Sequence, residues 1–222
     1  MIYAGLLLSI LIGVVIASFF KRINHKLLLI FSGFYLLSIS VFHLLPEVYH
    51  IKKETTGIFM ILGIMLQFFL ESLSNGIEHG HIHKSTSLTM SMFVSICIHA
   101  FIEGMPLHFH PHEENRSLLY GIMLHKVPVS MVLYSFFVKS NISVKKTFIY
   151  FLIFTAMTPL GSYLAGSLDV LDAFHTEITS FVVGMLLYIS IIVIFEINSS
   201  YRNNTFKTLA IVLASALAFF SS

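Results

Sequence analysis

The chain is short of the residues that cross-link, charge or solvate a water-soluble fold. Its one cysteine, Cys97, excludes an intramolecular disulfide and any CxxC metal site, and it does not reveal a compartment. Charged residues make up only 11% of the chain and the formal net charge is +2. No basic patch interleaved with exposed aromatics is present, so nucleic acid is not an expected partner. There is no compelling internal repeat, no low-complexity tract, and no connection long enough to hold a soluble domain. The first twenty-odd residues lack a basic leading region and an A-x-A cleavage pattern, and their apolar run exceeds a signal peptide's usual core. They read as an uncleaved first span.

What the chain has in abundance is apolar length. Hydrophobic residues make up 56% of it and the mean hydropathy is +0.87, the profile of a polytopic membrane protein whose spans each need roughly 20 apolar residues. Eight spans are expected, at about 1–20, 27–49, 57–77, 88–110, 117–138, 147–168, 178–197 and 206–221. The last is short for a full crossing. The fold class is therefore all-α, a single transmembrane domain over 1–222. Loops after odd-numbered spans carry Lys21, Arg22, Lys26, Lys84, Lys139, Lys145, Lys146, Arg202 and Lys207; those after even-numbered spans carry only Lys52, Lys53 and Arg116. The positive-inside rule then puts both termini outside the cytoplasm.

Against this apolar background a few ionisable residues stand at mid-span, where they are expensive and usually functional. Span four reads His99-Ala-Phe-Ile-Glu103-Gly-Met-Pro106, and span five contains His125-Lys126-Val-Pro128. His99 and Glu103 are four residues apart, so on a helix they share a face, about 6 Å apart along the axis. An imidazole and a carboxylate so placed suit a divalent ion such as zinc, with His125 as a third ligand. Pro106 and Pro128 are each expected to free a backbone carbonyl one turn earlier, beside these ligands. His43 and Glu47 share a face of span two, and His108, His110 and His112 end span four, so both groups are candidates for a metal entrance. Glu71, Asn75, Glu78, His79, His81 and His83 run from span three into the following loop and form a candidate exit. Glu196 is a further edge carboxylate with a candidate role in the path. The acidic loop with Asp169, Asp172, His175 and Glu177 biases the outer field toward cations. The ten methionines are scattered and read as packing.

At these residues the chain resembles the ZIP (Zrt-, Irt-like) family of divalent-metal transporters, whose span four carries His-Asn-x-x-Glu-Gly and span five His-Lys-x-Pro-Glu-Gly or His-Glu-x-x-His. Here the two read His99-Ala100-Phe-Ile-Glu103-Gly104 and His125-Lys126-Val-Pro128-Val129-Ser130. The resemblance extends to His43-Leu-Leu-Pro46-Glu47, the His-rich loop after span three, Pro159-Leu-Gly161, and Gly184-x-x-x-Tyr188 running to Glu196. It implies a ZIP-like bundle of eight helices with both termini outside, and transport of a metal ion toward the cytoplasm. Two departures bear on the site: Ala100 replaces the family asparagine, and Val129 replaces a carboxylate expected to ligate metal. Lys126 stands where a second metal sits in some branches, so the family's two-metal centre is not expected intact. His99, Glu103 and His125 remain, with a formal charge of zero once Lys126 is counted.

The expected function is thus divalent-metal transport at the plasma membrane, with zinc favoured and Fe²⁺, Mn²⁺ or Cd²⁺ less selectively accommodated. The partners are the ion and the bilayer, with a homodimer as the expected assembly and no resident cofactor. The competing reading is an intramembrane zinc hydrolase, in which three ligands hold zinc and a fourth position activates water; no further acid or base beside the site supports it. A third is a metal-binding membrane protein that has lost transport through Val129.

Overall fold

A computed structural model describes residues 2–19, 25–51, 53–74, 90–109, 116–200 and 204–221. All its regular elements are helical. They are α1 (Ile2–Phe19), α2 (His25–Ile39), a π turn (Ser40–Leu44), α3 (Leu45–Ile51), α4 (Lys53–Ser74), α5 (Met90–Gly104), α6 (Pro106–Phe109), α7 (Arg116–Lys139), α8 (Val144–Ser167), α9 (Asp169–Ala173), α10 (His175–Ser200) and α11 (Asn204–Phe220).

Among the described residues six stretches are long and apolar enough to cross a membrane: Leu27–Ile51, Glu54–Ser74, Met90–Phe109, Arg116–Lys139, Val144–Ser167 and His175–Phe195. They match the six inner spans expected from hydropathy, with edges shifted by a few residues. The first and last expected spans are the shorter apolar helices Tyr3–Phe19 and Thr205–Phe220. At 1.5 Å per residue these reach about 25 Å, against a hydrocarbon core of about 30 Å.

Lipid is as apolar as leucine, so burial alone does not drive these helices together; close approach and polar contacts do. Glycine makes the approach possible between α5 and α8. A Cβ at Gly104 would run into the Thr158 backbone, and one at Gly161 into the Phe101 carbonyl. Gly63 and Gly184 bring α4 and α10 equally close, each set against the other helix's carbonyls. Where α2 meets α7 the contact is softer, because Gly121 faces the side-chain tips of Leu36, Ile39 and Tyr35. Apolar packing fills the rest. Phe93, Ile96, Phe136, Phe137 and Phe154 form a cluster between α5, α7 and α8, while Leu36, Ile39, Leu186 and Ala214 form another between α2, α10 and α11.

Two prolines shape the helix ends near the polar residues. Ahead of Pro46 the helix widens, with the Leu45 N–H donating to the Ser40 carbonyl five residues back. This lets the helix run past a residue that has no N–H to give. At Pro106 the chain breaks after Gly104, and the Met105 N–H donates to the Ile102 carbonyl at 3.1 Å. The carbonyl expected to be released beside the ligands is therefore taken up locally by a tighter, three-residue turn. Pro128 lies inside α7 without ending it.

Candidate metal centre

Ser95, His99 and Glu103 recur every four residues on α5 and are all buried. Each reaches a different helix or side chain. The Ser95 hydroxyl donates to the Leu70 carbonyl of α4 at 2.5 Å. One turn on, His99 Nδ1 lies 3.0 Å from Gln67 Oε1, also on α4. At Glu103, which is 0% exposed, the carboxylate oxygen Oε2 is 3.3 Å from His99 Nε2 and 2.8 Å from Lys126 Nζ. The same-face placement of His99 and Glu103 is as the four-residue spacing predicts.

Lys126 comes from α7, whose His125 and Val129 line one enclosed pocket with His99, Ile96 and the Phe154 ring of α8. The pocket has no room for a water molecule. The ammonium is 5.1 Å from the Phe154 ring centroid, so an anion and an aromatic face hold the same cation. An unpaired charge at this depth is costly, and pairing is what retains both groups. The second carboxylate oxygen, Glu103 Oε1, is buried and has no hydrogen-bond partner among the described residues.

The three expected ligands are thus neighbours without being an assembled triad. His99 and His125 share the pocket, and His99 contacts Glu103. Among the described residues, however, no three His, Cys, Asp or Glu side chains are grouped closely enough to hold an ion. Lys126 takes the carboxylate oxygen that faces His99.

The outlying candidates are more dispersed. His43 Nε2–H donates to the Ala218 carbonyl at 2.9 Å, fastening the π turn to the last turn of α11. Glu47 is half-buried in the first turn of α3. His108 is exposed on α6, its ring lying where a Cβ on Gly166 would be, and Phe109 sits about 6 Å from both His108 and His175. Glu71 turns toward α10, where the Tyr188 hydroxyl donates to its Oε2. Asn75, Glu78, His79, His81, His83, His110 and His112 lie outside the described residues, as does the side chain of Glu196. Sequence reasoning passed over Gln67 and Phe154, and took Tyr188 only as part of a motif, not as a partner of Glu71. A lone buried amide in an apolar helix is itself a signal, and Gln67 carried it.

A buried anion–cation pair beside imidazoles, set among helices long and apolar enough to cross a bilayer, is the build of a membrane protein with a polar centre. The model of the ZIP zinc transporter family matches residues 78–220, well over half of the 222, and the chain belongs to that family. Its members move metal ions across membranes and are not enzymes. No curated protein matches the chain in sequence.

Proposed function

We propose that this protein carries a divalent ion, zinc by preference, into the cytoplasm across the plasma membrane through a single site made by His99, Glu103 and His125. The observation that carries this reading is the Glu103 carboxylate. It is fully buried, it is approached on one oxygen by His99 and Lys126, and its other oxygen has no hydrogen-bond partner among the described residues. Two imidazoles and one carboxylate are a zinc donor set, less selective against Fe²⁺, Mn²⁺ and Cd²⁺.

Lys126 is the resident cation of this site. It neutralises Glu103 while no ion is bound and holds the place of a second metal. An arriving ion docks on Glu103 with His99, shifts the ammonium off the shared oxygen, and draws His125 in to complete the shell. Binding has to be firm enough to strip water and loose enough to release the ion. The single carboxylate with its tethered cation sets that balance toward release. The exposed His108, with His110 and His112 beyond it in sequence, offers imidazoles at the outer mouth for capture. Eight crossings with both termini outside are supported by the bias of Lys and Arg toward the odd loops. The alternation of direction that eight crossings need agrees with contacts that step in one sense between the second span and α11 (Ser38 to Ser215, His43 to Ala218) and in opposite senses along α4 and α5 (Gln67 to His99, Leu70 to Ser95).

Zinc uptake into proteoliposomes tests the reading. His99→Ala is expected to lose most uptake while reaching the membrane at normal levels. Uptake at the wild-type rate in that variant removes the site.

A further inference from the structure

We infer that Gln67 is a positioning residue that fixes the tautomer of His99, and so ties metal affinity at the centre to the packing of α4 on α5. The inference rests on the reading of His99 as a metal ligand. Gln67 is fully buried on α4, and its Oε1 lies 3.0 Å from His99 Nδ1. An amide oxygen only accepts, so Nδ1 carries the hydrogen. A neutral imidazole has one N–H, which leaves the lone pair on Nε2. That lone pair faces Glu103 Oε2 at 3.3 Å. Two electron-pair donors so close, with no proton between them, repel each other unless a cation serves both. Lys126 Nζ, 2.8 Å from the same oxygen, neutralises the carboxylate side of that contact; on this reading a divalent ion serves both atoms during transport.

The arrangement also makes affinity depend on helix register. Gln67 sits on α4 and its partner on α5, and one turn away the Ser95–Leu70 hydrogen bond spans the same two helices. When α5 slides or tilts against α4, the amide leaves Nδ1 and the imidazole is free to move its hydrogen to Nε2. A protonated Nε2 has no lone pair for the ion. Departure of Gln67 is therefore a release step, built into the boundary between the two helices. A residue that merely fastened α4 to α5 would affect stability and leave both tautomer and affinity ratio alone.

The test uses the full chain in nanodiscs at pH 8, stripped with chelator. ¹⁵N spectra of the histidine rings, with His99→Ala to assign the signal, are expected to show His99 carrying its hydrogen on Nδ1. In Gln67→Leu that signal moves toward the Nε2–H form. Equilibrium Cd²⁺ binding weakens by roughly tenfold to a hundredfold, the usual cost of losing a ligand's outer hydrogen bond. Gln67→Glu restores an acceptor at the same place and keeps affinity within about threefold of wild type. A wild-type His99 with hydrogen on Nε2 overturns the inference, as does a Gln67→Glu protein that binds as weakly as Gln67→Leu. Unchanged Cd²⁺ binding in His99→Ala overturns instead the reading of His99 as a ligand, and the affinity arm with it. The tautomer arm stands or falls on Gln67 alone.

Discussion

Glu103 and Glu71 both lie within long apolar helices, and their surroundings differ. Glu103 is buried on α5, where the His99 imidazole and the Lys126 ammonium approach it, the ammonium in turn resting against the Phe154 ring of α8. Glu71 sits near the end of α4, where a neutral phenol donates to it, and it lines a groove of about 370 Å³ with Phe68, Ser72, Tyr188, Ile192 and Phe195. Phe68 and Phe195 are 63% and 71% exposed, so this groove opens on the outer face of the bundle. A charge needs a countercharge where no water reaches it, whereas a carboxylate at an open edge also has solvent to draw on. The contrast sets a sealed ion pair against a phenol-bonded carboxylate on an open groove.

The sharpest way to break this contrast is to unpair Glu103. Glu103→Ala leaves Lys126 buried without its anion, a loss of roughly 3–5 kcal/mol, and should lower the thermal transition of the purified protein and its yield. Adding Lys126→Met removes the stranded charge and should recover most of that stability. Zinc uptake should be absent in both. A double variant that transports zinc would show that the ion does not use this carboxylate.

A second way is to give the centre the charge it lacks. Val129 is buried and lines the pocket with His99 and His125, so a carboxylate there would face the ion. At an effective dielectric near 20, unit charges about 4 Å apart interact by roughly 4 kcal/mol. Desolvation and competition from Lys126 offset much of this, leaving a net gain of about 1–3 kcal/mol. Val129→Glu should therefore bind Cd²⁺ or Zn²⁺ roughly tenfold to a hundredfold more tightly, and turn over more slowly because release is delayed. Affinity equal to wild type in equilibrium binding would mean that position 129 does not reach the ion.

The sequence carried the local half of this site. Helical period alone puts His99 and Glu103 on one face, and hydropathy locates the six long apolar helices within a few residues. It carried less of what depends on which helix lies against which. Gln67 meets His99 across 32 positions, and His43 meets the Ala218 carbonyl across 175; no periodicity encodes either. His43 looked like an entrance ligand because its spacing to Glu47 matches that of His99 to Glu103. The π turn and the nearby end of α11 give its ring a backbone partner instead. The carbonyl expected to be freed by Pro106 is likewise taken up, since the chain tightens after Gly104 and the Met105 N–H claims the Ile102 oxygen.

The smallest effect should come from Glu71. It lies three residues from the end of α4, half-buried on an open groove, so its charge should cost less to keep or remove than that of sealed Glu103. Glu71→Gln retains a carbonyl oxygen for the Tyr188 hydroxyl, and zinc uptake should stay within about twofold of wild type, the scale of an exposed polar change. Tyr188→Phe removes the donor and should cost about 1 kcal/mol of stability, the net worth of one such hydrogen bond, again with near-normal transport. Separate kcat and KM values give the comparison its edge. If the charge of Glu71 serves an ion leaving toward the cytoplasm, Glu71→Gln will lower kcat by an order of magnitude with KM little changed, because only a step after binding is touched. That outcome would make Glu71 and Glu103 parts of one route. Near-normal kcat in both variants would leave Glu103 as the carboxylate the ion depends on, with Glu71 a fastening between α4 and α10.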